Sequence, residues 1–277
     1  MTTACFGEKG SFTEKAIRLK KKLPAQKIAY YPLIELVFEA VLQGKAATGY
    51  VPSRNKSRIP EEDTIDALFD YAGRVSIIDS VVMPIEHSVG KLPGNEPIRR
   101  ILSRKTALKQ CRPYLKQHYP GAEPVYVEST SEAMKQIRDQ NLADAAAIGN
   151  KDSLKLYGLE VIAENIVPNN KTRFIVLSRE ISWKRDADKP HVTSIIYHPH
   201  ENRPGLLADI LKVPKKLGIN IAEIHSVPDE NGEYAFLIDL EGHVLDRKIT
   251  KCRELMDKQC KKSESIILGC YPYRPLN

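Results

Sequence analysis

The sequence is poor in residues that build cross-links. It has five cysteines, Cys5, Cys111, Cys252, Cys260 and Cys270, among 277 residues. The number is odd and no pair has C-x-x-C spacing, which argues against a zinc site or a disulfide scaffold and for a reducing compartment. Small buried hydrophobes is the plain reading of such thiols. A regulatory thiol stays open for the three that fall near the C-terminus. No stretch approaches the roughly 18 uninterrupted apolar residues of a membrane span. The first residues lack a basic segment followed by an apolar run, so no signal peptide is expected and the chain is read as soluble and cytoplasmic. Glycine (15) and proline (18) are too few, and hydrophobic residues (42%) too many, for a collagen-like or disordered chain. No strong excess of one charge exists either: 42 basic residues face 35 acidic ones, a net +7. That excludes the signature of a dedicated nucleic-acid binder, and composition alone does not choose among anionic partners.

What is present is an ordinary globular chain long enough for two domains. Ala4 to Phe6 reads as a short strand running into Gly7-Glu8-Lys9-Gly10-Ser11-Phe12-Thr13, a tight turn after which Ser11 or Thr13 can cap the next helix. That helix is expected over 13–22, with Lys20 to Lys22 as its solvated, dipole-complementing end. A second helix fits 33–43 and stops at Gly44. A strand is expected from Ala47 to Val51, ending at Pro52, followed by a basic loop from Ser53 to Arg58. Further helices are read over 64–71, 105–118 and 132–140, the last capped within Ser129-Thr130-Ser131. Strands are read over 75–83, 98–102, 125–127, 143–148 and 174–177. Strands alternating with helices argue for α/β layers with mainly parallel sheets.

Ser182 to Pro190 is polar and ends in proline, which reads as a linker. Beyond it the pattern becomes strand 191–198, helix 205–217, strands 219–226 and 234–240, helix 247–259 and strand 265–270. A hairpin is expected at Asp229-Glu230-Asn231-Gly232. The order βαββαβ is that of a ferredoxin-like module. Pro214 inside its first helix predicts a kink or an early end.

Several motifs fall in a fixed order along this frame. They are Gly7-Glu8-Lys9-Gly10-Ser11-Phe12, Val82-Met83-Pro84-Ile85-Glu86-His87, Val127-Glu128-Ser129-Thr130-Ser131-Glu132-Ala133 and Asn169-Asn170-Lys171-Thr172-Arg173-Phe174. Asn202 to Leu207 and Gly218 to Ile221 follow in the C-terminal module. Taken together these segments resemble the prephenate dehydratase family with a C-terminal ACT domain, over nearly the whole chain. The run ending Thr172-Arg173-Phe174 is the most specific match. The resemblance implies an α/β fold: a catalytic domain (1–181) of two lobes, similar to a type II periplasmic-binding protein, then a ferredoxin-like βαββαβ ACT domain (191–277). It implies a homo-dimer or tetramer, with no nucleic-acid or membrane partner.

It also implies the chemistry. Prephenate is a small dianion, and the dehydratase expels its ring hydroxyl and carbon dioxide to give phenylpyruvate for phenylalanine biosynthesis. Aromatisation drives the step, so no metal, cofactor or covalent nucleophile is expected. The site needs anion holders and a donor for the departing hydroxyl. By resemblance Thr172 is that donor, Arg173 a carboxylate clamp or a brace for Thr172, and Phe174 a wall for the ring. Ser11, Ser129 and Thr130, at helix starts, fit a carboxylate; plain N-capping explains both serines equally well. His87 suits a general acid near neutral pH, and a hydrogen-bonded structural role fits it at least as well. The remaining histidines show no metal-ligand spacing.

The chain also departs from the pattern. Where the family reads V-P-I-E-N-S, this sequence has Val51-Pro52-Ser53-Arg54-Asn55-Lys56, keeping Asn55 but putting bases at Arg54 and Lys56. Arg104 and Lys105 add base where the family reads S-H-P-Q. Bases on cleft loops fit an anionic metabolite, yet they also open two alternatives. One is a prephenate decarboxylase that keeps the hydroxyl and does not aromatise; the other is an inactive ligand-sensing homologue. In the ACT-like module, Gly205-Leu206-Leu207 and His225-Ser226 stand where the family holds phenylalanine, without its arginine and acid. An amino-acid effector site is expected there in degenerate form, with weakened feedback.

Overall fold

The computed structural model describes the chain except residues 1, 22–23, 57–60, 95, 182, 187, 200–202, 229–233, 260–263 and 277. The expected Asp229–Gly232 hairpin, Arg58 of the basic loop, Lys22, Asn202, His200 and Cys260 lie outside the described residues. The first elements are β1 (Thr3–Phe6), α1 (Phe12–Lys20), β2 (Ile28–Tyr31), α2 (Ile34–Leu42), β3 (Thr48–Asn55) and α3 (Glu62–Asp70). Then come β4 (Ser76–Pro84), β5 (Ser88–Lys91), β6 (Arg100–Ser103), α4 (Lys105–His118), β7 (Glu123–Tyr126) and α5 (Thr130–Asp139). β8 (Ala145–Gly149), α6 (Lys151–Leu156), β9 (Glu160–Ala163) and β10 (Lys171–Ser178) follow. The last six are β11 (His191–His198), α7 (Leu206–Leu217), β12 (Ile221–Pro228), β13 (Tyr234–Glu241), α8 (Arg247–Gln259) and β14 (Glu264–Pro272).

The chain divides into two compact units, residues 1–65 with 81–175, and residues 66–80 with 176–275. The first unit carries two sheets. In one, the order β4-β10-β3-β1-β2 places β1 between β2 and β3, parallel to both. In the other, the order is β7-β6-β8-β5-β9. β6 runs parallel to β7 and β8, but β5 runs antiparallel to β8 and β9, a departure from the mainly parallel expectation. β6, β7 and β8 are joined through α4 and α5, the helical crossovers that parallel pairs need, whereas β5 comes straight from β4 of the other sheet and no such crossover sets its direction. Apolar side chains of α5 and α6 (Met134, Ile137, Leu154) cover one face of this sheet, and Leu108 and Cys111 of α4 cover the other.

Two crossovers join the sheets, and they hydrogen-bond to each other. Ile85 N–H donates to the Asn170 carbonyl (2.9 Å), and Ile166 N–H donates to the His87 carbonyl (2.8 Å). His87 and Thr172 are thereby held on adjoining segments. β3 does not stop at Pro52 as expected but continues to Asn55. Its registered pairs with β1 end at Tyr50, so the missing proline N–H falls beyond that neighbour's ladder.

In the second unit the antiparallel order is β12-β13-β11-β14. With α7 and α8 between strands, this is the ferredoxin-like arrangement. Ile195, Tyr197, Ile210, Ile238 and Met256 form its core. Pro214 lies in the last turn of α7, and the helix still reaches Leu217 before Gly218 ends it in the left-handed region (φ +65°). A proline there frees only one carbonyl near a terminus already rich in free ones. The four described cysteines are buried and unpaired; burial raises the thiol pKa of each, Cys252 to about 11. No helix among the described residues is long and apolar enough to cross a membrane.

Candidate active site

A cavity with about 520 Å³ of empty space, the open solvent at its mouth included, lies within the first unit. Three helix N-termini reach its wall. α1 brings Ser11 and Thr13, α4 brings Arg104 and Thr106, and α5 brings Ser129 and Thr130. Free backbone N–H groups and the positive ends of helix dipoles make such termini natural holders of anions.

Local sequence explains each start. Ser11 caps α1 by accepting from Glu14 N–H at 3.2 Å, and Ser129 caps α5 by accepting from Glu132 N–H at 3.1 Å. Gly7 lets the two caps approach. Its φ is +89°, and an added Cβ would lie 3.2 Å from Ser11 Cβ and 3.8 Å from Ser129 Cβ. Any L-side chain would be strained there and would crowd the Ser11 cap.

Residues of α5, α6 and the turn after α6, which pack on the second sheet, grip the 7–10 turn that follows β1 of the first. Asn150 caps α6 through Ser153 N–H (2.9 Å) and donates to the Gly10 carbonyl (2.7 Å). The Ser153 hydroxyl also donates to that carbonyl, and the Tyr157 hydroxyl donates to the Lys9 carbonyl at 3.1 Å. Lys15 pairs with Asp152 at 2.6 Å, and Lys135 with Glu8 at 3.4 Å. These contacts tie the two sheets of the first unit to each other.

Strand β10 supplies Thr172 and Phe174, both in the cavity wall, because residues two apart share a strand face. Arg173 between them falls on the other face of the strand and is buried. His87 lines the cavity too. Its ring is buried, stands edge-on to Phe12 (5.4 Å between centroids) and places Nε2 3.0 Å from Gln110 Oε1. Burial pushes its pKa down to about 4, with the Gln110 bond opposing. Burial therefore favours the neutral imidazole near pH 7. Gln110 Oε1 also accepts from Asn170 Nδ2 at 2.7 Å, tying α4 to the start of β10.

Of the bases expected on cleft loops, only Arg104 reaches the wall among the described residues. Its guanidinium lies over the Phe6 ring (4.6 Å), 3.2 Å from Glu61 Oε2 and 2.7 Å from Asp63 Oδ2. Lys105 is exposed and stands 3.8 Å from Glu62. Arg54, Asn55 and Lys56 do not form part of the cavity wall: Asn55 is fully buried and Lys56 is exposed. Glu61, Gln110 and Thr106 are in the wall and sequence reasoning missed them. A glutamate just before a helix reads as ordinary dipole complement, and no periodicity marks Gln110 on α4 as inward-facing polar.

In the second unit a separate hollow is lined by Arg203, Gly205, Leu206, Leu207, Tyr234 and Phe236. It gathers three of the expected effector residues. His225 and Ser226 lie on β12 outside it, with His225 Nε2 2.6 Å from Glu223.

Comparison with known proteins agrees with this geometry. A family model for prephenate dehydratase matches residues 3–182. The prephenate dehydratase of Methanocaldococcus jannaschii is 33% identical over 273 residues, covering 95% of each chain. The bifunctional chorismate mutase/prephenate dehydratase of Stutzerimonas stutzeri is 32% identical over 98% of this chain and 73% of that protein. The crystal structure of prephenate dehydratase from Arthrobacter aurescens in complex with L-Phe is 27% identical and superposes with a TM-score of 0.83, covering 99% of this chain and 90% of that one. Motif order, a two-sheet unit with a cavity ringed by helix N-termini, and similarity along almost the full length converge: the chain belongs to the prephenate dehydratase family.

Proposed function

We propose that this chain is a prephenate dehydratase, a lyase that turns prephenate into phenylpyruvate, water and carbon dioxide on the route to L-phenylalanine. The observation that carries the reading is one cavity in which Thr172 and Phe174 face three helix N-termini and the Arg104 guanidinium. A dianion has two negative groups to hold, and this wall offers oriented N–H groups plus one fixed fork of cationic donors. The Thr172 hydroxyl donates a hydrogen bond to the departing ring hydroxyl. Ser11, Ser129 and Thr130 hold a carboxylate at their helix starts. Arg173 braces Thr172, and Phe174 packs on the ring. Arg54, Asn55 and Lys56, at and just past the end of β3, stay outside the cavity wall and away from the substrate.

The alternatives drew on base replacing acid at the cleft. Arg54 and Lys56 stand outside the cavity wall, so their charge gives no particular support to a non-aromatising reaction. We read residues 1–181 as the catalytic domain and 191–277 as an ACT regulatory domain in a cytoplasmic homo-dimer or tetramer. Its hollow beside Gly205, Leu206 and Leu207 takes an amino-acid effector weakly, because His225 and Ser226 replace the partners expected of a phenylalanine site. The test is direct: purified chain and prephenate, with phenylpyruvate followed by its absorbance in alkali. Its growth supports the dehydratase; carbon dioxide without it supports the decarboxylase.

A further inference from the structure

The dehydration read above needs more than a hydrogen bond to the leaving oxygen. Hydroxide is a poor leaving group, and a proton must end on it. The donor must hold its proton at working pH and be acidic enough to release it. Among the described residues of the cavity wall, few groups qualify. Serine and threonine hydroxyls are too weakly acidic to give up a proton. A guanidinium donates hydrogen bonds but does not give up a proton in proteins. His87 is neutral, and Gln110 engages its Nε2. Glu61 remains.

Glu61 stands just ahead of α3, 5% exposed, in the cavity wall. Arg104 Nη1 lies 3.2 Å from its Oε2, yet that oxygen has no aligned hydrogen-bond partner among the described residues. A buried carboxyl held 3.2 Å from a guanidinium, with that oxygen left without an aligned donor among the described residues, in the wall of a cavity for a dianion, is an unusual arrangement for purely structural purposes. We propose that Glu61 is the acid of this enzyme, its protonated carboxyl giving up the proton to the ring hydroxyl as that group departs. The proposal rests on the dehydratase reading.

The step balances. The ring C–O bond breaks with its electron pair going to oxygen, which takes the Glu61 proton and leaves as water. The bond from ring to carboxylate breaks, its electrons aromatise the ring, and carbon dioxide leaves. Glu61 is left as carboxylate and regains a proton from solvent.

The charges around Glu61 suit the task. Burial comes first and raises its pKa; Arg104, at the start of α4, is the main opposing influence. Asp63 and Glu62 in the first turn of α3 reinforce the rise, and a hydrogen bond with Thr106 opposes it. A substrate carboxylate drawn to Arg104 offsets that guanidinium's pull and adds negative charge nearby, so binding itself favours the protonated acid.

The experiment is phenylpyruvate formation by the full chain from pH 5 to 9, for wild type and Glu61→Gln. The amide keeps the shape but carries no transferable proton. The expected result is a wild-type kcat that falls as pH rises and one proton is lost. Glu61→Gln should be at least about a hundredfold slower in kcat, with KM within about threefold and the alkaline fall gone. A variant within about threefold of wild-type kcat, or one keeping the alkaline fall, overturns the proposal. If the variant fails to fold, the wild-type profile decides: a kcat flat across this range overturns the proposal, and an alkaline fall supports it. A wild type that forms no phenylpyruvate overturns the dehydratase reading instead, so the two failures are distinct.

Discussion

His87 presents Nε2 to the Gln110 amide oxygen at 3.0 Å while its ring is 3% exposed. The pair joins a crossover segment to α4; the bond to Gln110 favours the charged ring, and burial, which disfavours it, is the larger effect. With a folded pKa near 4 against an ordinary 6.5, the native state disfavours the proton. A depressed histidine pKa stabilises the fold above pH 6.5, and that contribution is lost as pH falls towards 4. Over that window the loss is about 3 kcal/mol. Denaturant unfolding at pH 7 and pH 4 should therefore show a drop larger in wild type than in His87→Gln by about that amount. Equal drops would contradict a buried neutral His87.

Thr172 and Phe174 share one face of β10, and the mechanism gives the threonine hydroxyl a task that a methyl group cannot perform. Thr172→Ala should lower kcat for phenylpyruvate formation at least about tenfold, with little change in thermal stability. Thr172→Ser, which restores the hydroxyl, should recover most of the rate. Unchanged turnover in the alanine variant would remove Thr172 from the mechanism.

Leu206 and Leu207 line the second-unit hollow, while His225 is engaged by Glu223 outside it. Isothermal titration with L-phenylalanine should accordingly give weak or undetectable heat at sub-millimolar concentrations. Tight, saturable binding would show that the hollow finds its polar partners in some other way.

Much of this architecture was legible in local chemistry. Ser11 and Ser129 are caps because a short hydroxyl precedes an amphipathic run, and both sit where that rule puts them. α4 begins at Lys105 and ends at His118 as its pattern predicts. The short elements β2, β5, α6 and β9 were missed, being four to six residues long and too brief to show a period. The site was legible through its motif residues but not through its charges. Arg54 and Lys56 look like cleft bases in sequence, yet a strand that continues past Pro52 carries them away from the cavity wall. Glu61 looks like a surface acid and is buried, with Arg104 and Thr106, from a segment some forty residues later, beside it. Tertiary neighbours decide burial, and no local pattern reports them.

The central claim is a reaction, so product identity tests it most directly. Purified chain mixed with prephenate at neutral pH should release carbon dioxide and phenylpyruvate in equal amounts, the latter read by its absorbance in alkali. Carbon dioxide released without phenylpyruvate, or prephenate bound but left intact, would contradict the account.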